Sequence, residues 1–327
     1  MNEILTSFWI SFLCAAVLAY PTYRLLLMLK ARQTISEFVP EHQQKQGTPT
    51  MGGLIVLPGV LLVLALIPGG LPAAVLVAGF ALIGFLDDFV VPRLMTGKRG
   101  LGWKEKLVLE VLIAGGVSYW LFASSGWLDV ALAAFIILFC SNAYNFADGM
   151  DGLAGGLLLC IAPAIIAVVN VVSSTPFATL GCAALMGGIL PFLLLNGPPA
   201  KVFMGDVGAL PIGALLGCAM TPAFIGGTSV IENHRNPIIA LLFISLILIF
   251  ELVPVPLQIV SVKLRKKRLF HRTPIHHSFQ DKGWPETRVV ATFLIAQLVF
   301  SVVGVSIAYG TSLTLTSGGT PQAEVAR

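Results

Sequence analysis

The sequence predicts an all-α integral membrane protein of about ten transmembrane helices, and three observations carry that prediction. Of the 327 residues, 56% are apolar and only 11% charged, whereas a soluble domain carries about 25% charged residues. Mean hydropathy is +0.89. Apolar runs of roughly 20 residues, the length that crosses a bilayer, recur from Ile4 to Leu313. No polar block between them is large enough to fold alone, so residues 1–316 read as one polytopic domain, with 317–327 a polar, disordered tail.

The runs centre near Ala16, Leu61, Leu82, Ile113, Phe135, Pro163, Met186, Ala214, Leu246 and Phe300. The first lacks a basic leader and is followed by Arg24 and Lys30, so it reads as a retained span and not a cleaved signal. The third closes on Asp87-Asp88, the fifth runs into an Asn/Asp/Gly-rich loop, and the eighth starts at Asp206. The ninth carries Glu251 with Pro254 and Pro256, which predict a break in mid-membrane. Five cysteines, each alone in or beside an apolar run, have neither disulfide nor zinc spacing and read as small packing residues.

Ten spans put both termini on one side. Of the 20 lysines and arginines, all but Arg24, Arg235 and Arg327 fall in the odd-numbered connections, and Arg24 sits at the same end of span one. The positive-inside rule then places the odd connections in the cytoplasm and both termini outside. The net charge of +4 comes from those loops. It suits anionic lipid headgroups or an anionic substrate as well as simple topology, and nothing in it asks for nucleic acid.

Carboxylates at a bilayer boundary are costly and want partners or jobs. Asp87 and Asp88 are adjacent and repel unless a cation lies between them. Asp148 and Asp151, three apart in Asn142 to Gly152, share a face of a helical turn, with Asn142 and Asn145 beside them. Asn196 and Lys201 to Gly208, with Phe203 and Asp206, follow span seven; His276 and His277 stand in the basic loop after span nine; Lys45 to Gly53, with Thr50, precedes span two. Taken singly, each has a plain reading: a solvated helix end, a capped loop, an acid on a helix dipole. Together, five clusters from the first, third, fifth, seventh and ninth connections all fall on one side. Carboxylates, lysine and histidine gathered at one water–lipid boundary are what magnesium-assisted phosphoryl chemistry uses.

In these same residues the chain resembles the polyprenyl-phosphate sugar-1-phosphate transferases, and within them the phospho-N-acetylmuramoyl-pentapeptide transferases. Gly47 to Gly53, Asp87-Asp88, Asn142 to Gly152, Val202 to Gly208, and Pro-Ile-His-His with Gly-Trp-Pro-Glu286 look like that group's signatures, in order. The resemblance implies ten helices with both termini periplasmic in the bacterial inner membrane, an active site on the cytoplasmic face, and a Mg²⁺-dependent phosphotransferase. It implies UDP-N-acetylmuramoyl-pentapeptide and undecaprenyl phosphate as substrates, a membrane-lipid environment, and a homodimer. By resemblance, Asp87 is the base and Asp206 a magnesium ligand, with Asp88 supporting the site and Asp87 and Asp88 joining Asp206 at the metal. Lys45, Thr50, Asn142, Asn145, Asp148, Asp151, Asn196, Phe203 and His277 would bind substrate, Phe203 by stacking on uracil, and His276 would contact phosphate. Two positions depart from the pattern. Ser278 stands where a third histidine is usual, and Val91 where a lysine is usual, leaving Arg93, Lys98 or Lys106 to supply that charge.

Two rivals follow from the same features. A sibling transferase would take UDP-N-acetylglucosamine or a related amino sugar. A transporter or flippase would put its polar groups near the midplane, where only Glu251 lies.

Overall fold

The computed structural model describes residues 2–29, 47–95, 98, 100–172, 175–226 and 236–310. Within them the chain is helical: α1 (Asn2–Met28), α2 (Gly53–Leu66), α3 (Leu71–Phe85), a π turn (Leu86–Val90) leading into α4 (Val91–Leu94), α5 (Trp103–Phe122), α6 (Trp127–Ala147), α7 (Leu153–Val172), α8 (Pro176–Asn196), α9 (Asp206–Gly226), α10 (Pro237–Ile244), α11 (Leu246–Leu252), α12 (Pro254–Arg265), α13 (Ile275–Gln280) and α14 (Glu286–Tyr309). A spanning backbone must satisfy its own polar groups, and helices do so.

Among the described residues, eight helices are long and apolar enough to cross a membrane. They are α1, Leu71–Leu94, α6, α7, α8, α9, Leu246–Arg265 and α14. The two remaining runs read from the sequence coincide with α2, of 14 residues, and with α5, whose first turns carry Lys104, Glu105, Lys106 and Glu110.

The central helix is α9. Of its most apolar window 83% is enclosed by protein, against 17% for α1 and 22% for α14. Small residues let neighbours approach it, as in membrane bundles generally. Cβ atoms at Gly213 and Gly217 would press on the α6 backbone at Cys140–Ser141 and Ile136–Ile137, and Ser141 donates to the Leu210 carbonyl at 2.9 Å.

The ninth span is interrupted earlier than its prolines indicate. Val253, before Pro254, keeps helical dihedrals, whereas Ser245 leaves them at φ −91° and ψ 1°. The amide of Gln297 on α14 donates to the Ile244 carbonyl at 2.9 Å and to Ser301 Oγ at 3.0 Å; Ser301 in turn donates to Cys160 O. Beyond Pro254 and Pro256, Gln258 accepts from the amides of Leu269 and Phe270, at 2.8 and 2.9 Å, and folds the basic turn back on α12.

Candidate active site

The geometry starts from a close crossing. A Cβ at Gly84 would stand 2.3 Å from Asp206 C and from Val207 N, so the end of α3 touches the start of α9. The wider π turn that follows, a form often found at functional sites, presents Asp87 and Asp88 to that junction. The Val207 amide, in the first turn of α9, donates to Asp88 Oδ2 at 3.2 Å, placing a carboxylate at the positive end of a helix.

Lys106 then joins two acids, one 19 positions before it and one 100 after it. Its Nζ donates to Asp87 Oδ2 at 3.2 Å and to Asp206 Oδ2. The three side chains are 18, 17 and 23% exposed, so the cluster opens to solvent on one side. The other oxygens are also held: Leu101 N donates to Asp87 Oδ1 at 2.5 Å, and Asn145 Nδ2 to Asp206 Oδ1 at 2.8 Å. Of the three cations able to stand in for the usual lysine, Lys106 is the one bonded to the acids. Arg93 lies 4.1 Å over the Phe89 ring and donates to the Leu29 carbonyl.

One helical turn along α5 is Glu110, only 1% exposed. Asn142 Nδ2 donates to its Oε2 at 2.7 Å and to Leu138 O at 3.0 Å, while Glu110 Oε1 has no hydrogen-bond partner among the described residues. Asn142 and Asn145 are thus one turn apart on α6, facing Glu110 and the Lys106–Asp206 pair respectively. Sequence reasoning passed over Glu110. The available signal was an acid in the apolar run from Leu107 to Ile113.

Behind the acids, loops are tied to each other. The Phe203 amide donates to Pro49 O, and the Gly52 and Gly53 amides to Phe203 O and Met204 O, at 2.8 to 3.0 Å. Gly205, with φ +72°, turns the chain where a Cβ would meet Asp88 Oδ2 at 2.5 Å and Thr50 Oγ1 at 2.6 Å. Glycine alone adopts that conformation without strain. Asp148, just beyond α6, accepts from the Gly205 amide; burial and then the charge of Asp206 push its carboxyl up to about 7.

Asp151 and Asn196, expected at a nucleotide, are each 4% exposed and work as ties. Asp151 Oδ2 accepts from Ala200 N at 2.9 Å, and its amide donates to Glu286 Oε1 at 2.7 Å. Asn196 accepts from Gly152 N at 3.0 Å and donates to Val202 O at 2.9 Å. Glu286 is the acid of the Gly-Trp-Pro-Glu motif, so that motif anchors the Asp148–Gly152 loop.

His276 has no exposed surface. Its Nδ1 is 2.9 Å from Glu251 Oε2, also fully enclosed, and its Nε2 has no hydrogen-bond partner among the described residues. A Cβ at Gly149 would be 2.4 Å from that nitrogen, so the ring is pressed against the loop that carries Asp148. His277 lies 4.2 Å from it, centroid to centroid, with Nδ1 2.9 Å from Gln280 Oε1. Ser278, in the unusual third position, bonds Arg272 both ways, through the Arg272 amide at 3.0 Å and its carbonyl at 2.7 Å. Lys45 lies outside the described residues.

Asp87, Asp88, Asn145, Asp148 and Asp206 are therefore brought together, while His276 and His277 border the same loop from α13. Among the described residues no three His, Cys, Asp or Glu side chains form a ready metal cage. Two carboxylates already sharing one cation do fit Mg²⁺, which takes one or two carboxylates and fills its shell from water and substrate phosphates.

The profile of Glycosyl transferase family 4 matches residues 71–223, and phospho-N-acetylmuramoyl-pentapeptide-transferase signature 1 matches residues 45–57. The chain is similar to the phospho-N-acetylmuramoyl-pentapeptide-transferase of Heliobacterium modesticaldum, 38% identical over 86% of this chain and 91% of the relative. It is 37% identical to that of Desulforamulus reducens, over 90% of this chain and 92% of the relative. With that of Bacillus subtilis the figures are 33%, 93% and 97%.

Proposed function

The chain belongs to the phospho-N-acetylmuramoyl-pentapeptide transferases, and from that premise we propose that it moves phospho-N-acetylmuramoyl-pentapeptide from its UDP-linked form to undecaprenyl phosphate. UMP leaves, and the product is the first lipid-linked peptidoglycan precursor. The observation that carries the reading is the meeting of Asp87 and Asp206 on one lysine nitrogen, at the helix ends of a membrane bundle where a lipid phosphate would lie.

In this reading all ten helical passages span the bacterial inner membrane, with both termini periplasmic and the acids at the cytoplasmic boundary, as the distribution of lysine and arginine favours. The chain works as a homodimer, an expectation taken from the resemblance alone. Asp87 takes the proton of the lipid phosphate. A lipid phosphate oxygen then forms a bond to the β-phosphorus of the sugar nucleotide as the bond from that phosphorus to the UMP oxygen breaks. Asn145 and Lys106 hold Asp206 at its two oxygens, and Asp88 stays anchored on the α9 amide. Asp206 and Asp87 would hold Mg²⁺, which when bound would spread the charge developing on the phosphoryl oxygens. Phe203 has its backbone fixed against Pro49 and Gly52, which supports its ring as a platform for uracil.

Purified protein supplied with undecaprenyl phosphate, Mg²⁺ and either UDP-N-acetylmuramoyl-pentapeptide or UDP-N-acetylglucosamine tests the substrate. UMP is expected from the first. Release from the second alone would reassign the chain to the amino-sugar branch.

A further inference from the structure

We propose that Glu110 is the acceptor to which the Lys106 ammonium moves when a divalent cation enters between Asp87 and Asp206. The inference rests on the metal role given above and concerns what this chain must do to admit the ion.

Lys106 Nζ now occupies the carboxylate oxygens a cation would use, Asp87 Oδ2 and Asp206 Oδ2. An ammonium and a divalent ion cannot share those oxygens, because like charges at contact distance repel strongly in a partly desolvated site. Lys106 is only 18% exposed, so its departure into bulk water would require its stem to leave the bundle. A nearer destination exists. Glu110 lies four residues on along α5, and residues so spaced are neighbours on a helix face. It is close enough for the Lys106 charge to act on it. Its Oε2 is held by Asn142, but Oε1 is buried with no hydrogen-bond partner among the described residues.

A buried carboxylate oxygen left unpaired is costly, and an ammonium turning one helical step would pair it. Asn142, bonded to α6's own Leu138 carbonyl as well, keeps the Glu110 carboxylate from turning away. The exchange balances charges that are unbalanced without the ion: three carboxylates face one ammonium before, whereas afterwards the ammonium offsets Glu110 and the divalent ion offsets Asp87 and Asp206.

The test is titration of the full chain in detergent with Mn²⁺, followed by the electron paramagnetic resonance of the free ion. Glu110→Gln keeps an acceptor for Asn142 and removes the charge; binding is expected to weaken roughly tenfold, within the range of coupled charged neighbours. Glu110→Asp keeps the charge, shortens the reach, and should weaken binding in the same direction. In a Lys106→Gln background there is no ammonium to relocate, so adding Glu110→Gln should change nothing. The inference is overturned if Glu110→Gln and Glu110→Asp bind Mn²⁺ as the parent does, or if the loss persists undiminished without Lys106, which would mark a long-range charge effect. Absence of any Mn²⁺ binding sensitive to Asp206→Asn would instead remove the metal role itself, and this inference with it.

Discussion

Glu251 and His276 meet at 2.9 Å across 25 residues of sequence, and neither side chain has exposed surface. The pair ties α11, in the interrupted ninth span, to α13 and so to Gly149. Glu251→Ala leaves His276 Nδ1 buried without a partner, at a cost of about 1–3 kcal/mol. Thermal unfolding in detergent should show it, and the double variant with His276→Ala should cost less than the two single losses added. Additive losses would mean that the contact does not couple the two elements.

Gly84→Ala places a methyl 2.3 Å from the backbone of Asp206 and Val207. Such overpacking costs about 1–3 kcal/mol, and here it also pushes Asp87 and Asp88 away from Asp206. Turnover should fall together with stability. Gly115→Ala and Gly116→Ala, where no neighbouring element among the described residues lies within 4 Å of the added carbon, serve as controls: turnover should be unchanged and stability equal or higher by up to about 1 kcal/mol.

Asp206→Asn keeps an acceptor for Asn145 and removes the charge shared with Lys106. UMP release is expected to drop by roughly 100-fold or more, the scale on which loss of a metal-holding carboxylate acts on a phosphoryl transition state. Stability in the absence of substrate should change far less. A variant that retained parental turnover would displace Asp206 from the centre of the mechanism.

The Asp148 carboxyl rises from 3.8 to about 7 on folding, through burial and then the Asp206 charge. The folded state therefore binds its proton more tightly than the unfolded chain does. By linkage, the stability tied to this group is fully present below 3.8, declines as pH rises toward about 7, and is flat above that. Asp148→Asn resembles the protonated form. The difference in melting temperature, variant minus parent, should grow between those limits and level off above them.

Asn196→Ala removes two bonds at once, to Gly152 N and Val202 O. With the residue 4% exposed, the expected effect is about 1–3 kcal/mol of stability and a rise in KM as the two loops separate. A pure KM effect with unchanged melting would make Asn196 a direct substrate contact instead.

Much of this was legible in the amino acids because hydrocarbon tolerates little variety. Apolar runs marked each of the eight helices that, among the described residues, are long and apolar enough to cross a membrane, and acids at the ends of such runs drew notice to Asp87, Asp88 and Asp206. What escaped depended on partners far along the chain. Ser245 has no glycine or proline to announce an interruption, and the carbonyl it frees is taken by Gln297, 53 positions beyond Ile244. Lys106, Arg93 and Lys98 were equivalent as charges; only folding shows that Arg93 turns to Phe89 and Lys106 to the acids. Asp151 and Asn196 were recognisable as polar residues in an apolar protein, but their bonds to Glu286, Ala200, Gly152 and Val202 are made across loops and leave no local spacing to read. Lys45 and the last eleven residues lie outside the described residues.

Lys106 follows Asp87 by 19 positions and precedes Asp206 by 100. In the order of synthesis the counter-charge of Asp87 is therefore available once α5 has been made, long before Asp206 has been. The Asp87–Lys106 pair needs nothing from α9, whereas Asp88 waits for the Val207 amide, and the late-arriving Asp206 joins a partnership whose first two members precede it. Biogenesis of the site is in this sense sequential: neutralise early, then complete.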